Sequence, residues 1–194
     1  MSDYPKYGAP FEQGEFYHIY NCAVGKEIMF INDDNYHFFL DRFYYYTRDY
    51  LCIYAYCLLR NHFHFLVRIN DGADHLKISE QLRKLFISYS KAFNKQQKRT
   101  GSLFEKHLKR IKIVSDNQLL WTIYYIHRNP VHHRISSDFE RFTWSSYRVI
   151  ISDKNTKLKR EEVLGIYSGK KSFMEFHQRN IENDQLQEKI NFAE

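Results

Sequence analysis

The chain has 194 residues, a formal net charge of +6 at pH 7, 43 % hydrophobic residues and 27 % charged residues. These values suit a globular protein of one domain, or of one domain with an appendage, and they exclude a largely disordered chain. No apolar run approaches the roughly 20 residues of a membrane-spanning helix. The N-terminal MSDYPKYGAP lacks the apolar stretch of a signal peptide. The 3 cysteines have no CxxC spacing, which argues against a disulfide framework or a structural zinc site, so we expect a cytoplasmic protein.

Aromatic residues make up 18 % of the chain, and the positive charge is concentrated in residues 81–113. This segment holds a single acidic residue, Glu105, and includes Phe86, Tyr89 and Phe104. Its basic residues are Arg83, Lys84, Lys91, Lys95, Lys98, Arg99, Lys106, Lys109, Arg110 and Lys112. Cations interleaved with aromatic rings are typical of surfaces that bind single-stranded nucleic acid, although a charge run is also typical of an ordinary solvated face. We treat these ten side chains as candidate DNA contacts.

The first part of the chain predicts a strand, a helix and a hairpin, at residues 16–24, 36–50, 51–59 and 62–69. Asn32 and the two following aspartates offer N-caps for the helix. The two strands of the hairpin are separated only by Arg60 and Asn61, which predicts a tight turn.

The second part predicts a basic amphipathic helix, a short strand and a further helix, at residues 79–98, 108–114 and 115–129. Ser115 or Asp116 caps the last helix, and we expect Pro130 to end it. The order β-α-β-β-α-β predicts an α+β, ferredoxin-like split β-α-β fold, an antiparallel sheet with helices on one face. We place this domain at residues 1–150 and assign residues 151–194 to a polar connector, KNTKLKREE, with a short helical tail of unknown role.

His62 and His64 are two residues apart on a predicted strand, so their imidazoles point to one face while Phe63 and Phe65 point to the other. Two imidazoles on one face can hold one cation, although two histidines on the polar face of an amphipathic strand would give the same pattern. A metal site would require a third protein ligand and open positions for substrate oxygens.

Tyr125 and Asn129 are four residues apart and share a helix face, which allows a phenol and an amide oxygen to meet. A tyrosine can act as a covalent nucleophile, but a phenol with a pKa near 10 needs help from a metal or a base at neutral pH. The alternative is that Tyr124 and Tyr125 are core aromatics and that the Asn-Pro pair only ends the helix. Because a residue before proline avoids the α conformation, we expect Asn129 to lie at the helix end with its side chain available for ligation.

The string LLRNHFHFLV resembles the His-hydrophobic-His motif of the single-tyrosine HUH endonuclease transposases. The ordered set GSLFEKHLKRIKI, YIHRNPV and FTWSSY resembles the REP-associated tyrosine transposase branch of that superfamily. The likeness runs from about Phe16 to Tyr147. The family has a ferredoxin-like fold.

The resemblance implies that residues 1–150 form a catalytic domain. It implies that His62, His64 and Asn129 bind Mg²⁺ or Mn²⁺ and that Tyr125 is the nucleophile, with Tyr124 facing elsewhere. In such enzymes the tyrosine attacks a phosphate of single-stranded DNA near a hairpin and forms a 5′-phosphotyrosine intermediate. It also implies a homodimer. We have no role for His127, His132 and His133, which crowd the region after the tyrosine.

Two other functions remain open at this point. One is a ferredoxin-like nucleic-acid-binding protein without catalysis, which a buried Tyr125 would favour. The other is a metal-dependent nuclease that uses water and forms no covalent adduct.

Overall fold

The computed structural model describes residues 10–181 and 183–190. The first nine residues, on which the expectation about a signal peptide rests, lie outside the described part, as do residue 182 and the last four residues of the predicted tail. No helix in the described part is both long enough and apolar enough to span a membrane.

The sheet has four antiparallel strands in the order β2-β3-β1-β4, formed by β1 (Phe16–Cys22), β2 (Leu51–Leu59), β3 (His62–Ile69) and β4 (Lys109–Lys112). With α1 (Asp33–Thr47) and α2 (His75–Gln97) between them, this is the ferredoxin-like arrangement that the sequence predicted. Strands β2 and β3 match their predicted bounds, and the hairpin turn lies at the predicted position.

Helices α1 and α2 pack against one face of the sheet, which β3 supplies with Phe63, Phe65 and Val67. Helix α1 begins where the sequence indicated, because the Asn32 side chain accepts a hydrogen bond from the Asn35 amide. Helix α2 begins one turn earlier than predicted, because the Asp74 carboxylate accepts from the amides of Leu76 and Lys77.

Helix α3 (Asp116–His132) packs against the opposite face of the sheet, on β2 and β3. Ser115 caps it as predicted, by accepting from the Gln118 amide at 3.1 Å. The prediction that Pro130 ends the helix is wrong. Proline lacks an N–H and crowds the carbonyl one turn before it, but it leaves the later amides free to donate. The last turn still closes through the His133 amide, which donates to the Asn129 carbonyl at 3.0 Å. Asn129 therefore lies inside the helix, and the helix continues to His132.

Four short helices follow: α4 (Tyr147–Ile151), α5 (Arg160–Ile166), α6 (Lys170–His177) and α7 (Asn183–Ile190). They share a second hydrophobic core with α3, which includes Tyr147, Val163, Phe173 and Leu186. The preceding FTWSSY segment pairs with the edge of β2, since the Leu58 amide donates to the Trp144 carbonyl at 2.9 Å. The tail is thus packed over α3 in the described residues. The domain boundary at residues 150–151 stays a prediction.

Candidate metal and nucleic-acid site

The candidate site lies between β3 and α3, on the face of the sheet opposite α1 and α2. His62 and His64 reach this face because they alternate with Phe63 and Phe65, whose rings are buried in the first core. From α3, Tyr125, Asn129 and His132 follow at spacings of four and three residues and so share one helix face. The structure therefore brings together the two histidines, the tyrosine and the asparagine that the sequence singled out.

His62 is held between two asparagines and one histidine. Its Nδ1 donates to Asn61 Oδ1 at 2.8 Å, because an amide oxygen can only accept. The His133 ring lies edge-on, with the two ring centroids 4.6 Å apart. Burial, followed by the charge of His133, lowers the pKa of His62 to about 4, and the Asn129 amide opposes this shift. Neither His62 Nε2 nor Asn129 Oδ1 has a well-formed hydrogen bond within the described residues.

His64 is fully buried, and His18 of β1 orients it. The distance from His64 Nδ1 to His18 Nε2 is 2.9 Å, and the two rings stack with their centroids 5.1 Å apart. Burial lowers the pKa of His64 well below its usual value and that of His18 to about 3, so both imidazoles are neutral at physiological pH. His64 Nε2 is buried and has no hydrogen-bond partner among the described residues.

This donor set fits a divalent cation. Metal-binding histidines commonly present one ring nitrogen to the ion while the other is hydrogen-bonded to a neighbour that fixes the ring. Here Nδ1 of each histidine is engaged, and neither buried Nε2 makes a well-formed hydrogen bond among the described residues. Neutral rings keep the Nε2 lone pair available for a metal ion.

A cavity of about 690 Å³ opens in front of the two histidines. Its lining includes His62, His64, His133, Arg60 and Lys109, so cations stand beside the imidazoles. The Lys109 ammonium also lies 5.4 Å from the centroid of the Tyr20 ring, which stacks on the rings of His18 and His64. Positive charge next to the histidines favours an anionic ligand such as a phosphate.

Tyr125 and Asn129 lie behind this cavity and are not part of its described lining. Tyr125 is 2 % exposed and Asn129 is 0 % exposed. The Tyr125 ring meets the rings of His64 and His18 edge-on, at centroid distances of 5.7 and 6.0 Å, and also contacts the ring of His132. The tyrosine is thus adjacent to the histidine pair but covered.

Tyr124 points away from the site, as the resemblance implies. Its hydroxyl donates to the Arg179 carbonyl at 2.6 Å, and its ring packs against Trp121 and Phe176.

The ten candidate DNA contacts divide into four sets. Arg83, Lys91, Lys106 and Arg110 line a groove of about 630 Å³ between α2 and the segment 101–110, which also contains Phe86 and Phe104. Of the remaining cations, Lys84, Arg99 and Lys112 form ion pairs with Glu80, Glu27 and Glu12. Lys109 faces the histidine cavity instead, and Lys95 and Lys98 are exposed at the end of α2.

Sequence reasoning missed His18, Asn61 and His133. His18 shares a strand face with Tyr20 in β1, and this alternation was visible in the sequence, but its pairing with β3 was not. His133 was left without a role because the family resemblance supplies none, and its proximity to His62 follows from the packing of α3 on β3.

Comparisons with known proteins agree with the fold. No protein-family model matches the chain, and no curated protein matches it. A solved structure described as "Structure of the REP associates tyrosine transposase bound to a REP hairpin" is similar, with a TM-score of 0.65 and 16 % sequence identity. The alignment covers 79 % of this chain and 87 % of that one. At this identity the likeness concerns the fold, and it includes the ferredoxin-like core that the sequence resemblance implied.

Proposed function

We propose that this protein cleaves and rejoins single-stranded DNA near hairpins, with Tyr125 as the nucleophile. The observation that carries the proposal is the position of Tyr125 against His64, beside two imidazoles whose Nε2 atoms have no partner among the described residues. The similar solved structure is of a tyrosine transposase bound to a hairpin, which supports the same class of substrate here.

In the proposed reaction, the Tyr125 oxygen loses its proton and attacks a backbone phosphorus. The bond from phosphorus to the 3′ oxygen breaks, and that oxygen takes up a proton to become a free 3′-hydroxyl. The strand on the 3′ side of the break stays attached to the tyrosine through its 5′ phosphate, and attack by a 3′-hydroxyl on this phosphate reverses the step and releases the tyrosine. His62 and His64, with a third ligand on α3, would hold a divalent cation, Mg²⁺ or Mn²⁺, which supplies charge neutralisation at the phosphate when it is bound.

The residues around the cavity have separate roles in this proposal. Lys109 and Arg60 attract the phosphate backbone to the histidines. The groove lined by Arg83, Lys91 and Lys106 binds the DNA on either side of the cleaved phosphate, with Phe86 available for stacking.

A second candidate is a nucleic-acid-binding protein without chemistry. The burial of Tyr125 favours it, because a phenol that is 2 % exposed reaches a phosphate only if DNA binding opens the space between α3 and the sheet.

One experiment separates these functions. The protein is incubated with hairpin-bearing single-stranded DNA and MnCl₂, and the products are separated on a denaturing gel. We expect a covalent protein–DNA adduct that is lost in Tyr125→Phe and in His64→Ala and is retained in Tyr124→Phe, whose hydroxyl lies on the other side of α3. An adduct that persists in Tyr125→Phe would overturn the nucleophile assignment. DNA binding without cleavage supports the binding protein, and cleavage without an adduct supports a nuclease that uses water.

The DNA contacts are tested by the salt dependence of binding. We expect Lys91→Ala and Lys106→Ala each to reduce the slope of log affinity against log salt by about 0.7, as for the loss of one phosphate contact to a single strand. Lys84→Ala is the matched control on α2, because Lys84 is already paired with Glu80 at 2.8 Å.

The assembly and location complete the proposal. We propose a homodimer, which light scattering of the purified protein measures directly.

We also propose a cytoplasmic location, which the three free cysteines support, because thiols stay reduced in the cytosol.

A further inference from the structure

We infer that His133 is a protein ligand of the cation held by His62 and His64, and that this three-histidine site selects Zn²⁺ and Mn²⁺ over Mg²⁺. The inference rests on the proposed function, because it concerns the metal ion of the same site. It departs from the ligand set that the sequence resemblance implied, in which Asn129 is the third ligand.

The geometry points to His133. One ligand nitrogen from each of His62, His64 and His133 lies within 4.8 Å of the other two. Two nitrogens bound to one tetrahedral ion at about 2.1 Å each are about 3.4 Å apart, so binding requires a movement of up to about 1.4 Å. His133 can supply that movement because it is an exposed side chain just after the end of α3. All three rings line the same cavity.

Asn129 occupies a different position. It is 0 % exposed, it is not part of the described cavity lining, and its amide acts on His62 rather than on the cavity. With Asn61 on Nδ1, the two asparagines flank the His62 ring. Because His133 lines the cavity and Asn129 does not, we assign the third ligand position to His133 rather than to Asn129.

The donor atoms determine which ion the site prefers. Three imidazole nitrogens suit Zn²⁺ and, more weakly, Mn²⁺, in the order of affinity that divalent transition metals show at nitrogen sites. Mg²⁺ prefers six oxygen ligands in a near-ideal octahedron and gives up its water reluctantly. Within the described residues no carboxylate belongs to this cluster, so the site offers Mg²⁺ no charged oxygen ligand.

The test measures metal binding to the full-length protein alone, without DNA. MnCl₂ is titrated into the protein, and free Mn²⁺ is followed by its electron paramagnetic resonance signal. We expect one Mn²⁺ per chain in the wild-type protein, displacement by one equivalent of ZnCl₂, and no displacement by a hundredfold excess of MgCl₂. Displacement by MgCl₂ at concentrations comparable to MnCl₂, or no Mn²⁺ binding at all, would overturn the inference.

Variants then separate the ligands. We expect His133→Ala to weaken Mn²⁺ binding by at least about tenfold, comparable to or larger than the loss of a residue that orients a ligand. Asn129→Ala should weaken it less than His133→Ala does, and His132→Ala, the neighbouring histidine outside the cavity lining, should leave it unchanged. Circular dichroism checks that each variant is folded, and His133→Gln serves as a second replacement with the same expected direction.

If His133→Ala binds Mn²⁺ as tightly as the wild type, or if Asn129→Ala loses more affinity than His133→Ala, His133 is not the third ligand. Failure of the proposed nuclease function looks different. In that case Mn²⁺ binds with the expected variant pattern, and no covalent DNA adduct forms.

Discussion

Two groups of buried histidines lie on opposite sides of α3. They differ in whether their ring nitrogens have hydrogen-bond partners. In the first group, around His62 and His64, both Nε2 atoms are buried without a hydrogen bond in the described residues. In the second, His127 and His177 use all four ring nitrogens. His177 Nδ1 donates to the Phe173 carbonyl at 2.8 Å, so its Nε2 must accept from His127 Nδ1 at 2.9 Å. His127 Nε2 then accepts from Ser146 Oγ at 2.8 Å.

This difference in hydrogen bonding distinguishes structural histidines from candidate functional histidines, although both groups are similarly buried. A buried polar atom without a hydrogen-bond partner lowers the free energy of unfolding by about 1–3 kcal/mol. The second group avoids this loss, because its hydrogen bonds link α6 and the FTWSSY segment to α3. In the first group this cost falls on two buried nitrogens, which belong to residues that line one cavity. A ligand that binds there would remove the cost, and a metal ion is the ligand that imidazole nitrogens favour.

The largest expected effect is on stability in the second group. His127→Ala leaves Ser146 Oγ and His177 Nε2 without their partner and creates a cavity next to Phe173, so we expect a loss of about 3–4 kcal/mol in the free energy of unfolding. His132→Ala, on the same helix but half-buried, should cost about 1 kcal/mol or less. Urea denaturation measures both values, and equal losses would contradict the distinction between the two groups.

Metal addition should distinguish the groups next. MnCl₂ at a hundred times its dissociation constant should raise the unfolding free energy of the wild-type protein by about 2.7 kcal/mol, because the ion binds only the folded site. Ser146→Ala lies in the second group and should keep this increment, whereas His64→Ala should lose it. Thermal unfolding with and without MnCl₂ provides the measurement. An increment that survives in His64→Ala would place the ion elsewhere.

Acid should weaken the second group through His177. Its pKa is lowered to about 3, mainly by burial, although the Phe173 carbonyl opposes the shift and the charge of Arg128 adds to it. His127, Arg128 and the phenol rings of Tyr124, Tyr147 and Tyr167 face it. The unfolded chain therefore takes up a proton near pH 6.5 and the folded chain does not, so this stability is present above pH 6.5 and is lost as the pH falls toward 3.

The size of this acid effect follows from the pKa difference. Between pH 6.5 and pH 5 one such histidine contributes a loss of about 1.6 kcal/mol. Denaturant titrations of the wild type and of His177→Gln at the two pH values isolate this contribution, since the other buried histidines are present in both proteins. A pH dependence that is the same in both proteins would show that His177 does not supply it.

The sequence predicted more of the first group than of the second, for a physical reason. The strand period of two places His62 and His64 on one face, and the helical period does the same for Tyr125 and Asn129. Both periods can be read from neighbouring residues in the sequence. The prediction failed at Pro130, where a local rule was applied to a helix whose last turn is closed by the His133 amide. The second group depends on His127 meeting His177, fifty residues away. No local pattern encodes that contact, since it follows from how α6 packs against α3.

The smallest expected effect concerns two adjacent serines that the sequence does not distinguish. Ser146 Oγ accepts from the Tyr56 amide at 2.8 Å and lies 2.8 Å from His127 Nε2, so Ser146→Ala removes a partner from both β2 and α3. Ser145 Oγ only accepts a longer bond of 3.3 Å from the Tyr147 amide. We expect Ser146→Ala to cost about 1.5 kcal/mol and Ser145→Ala about 0.5 kcal/mol, the usual range for intramolecular hydrogen bonds. Because both side chains are fully buried and have the same volume, denaturant unfolding of the two variants compares hydrogen bonding at constant loss of packing. If the two serines cost the same, the chain through His127 adds nothing beyond burial, and the contrast between the two histidine groups would then depend on the metal site alone.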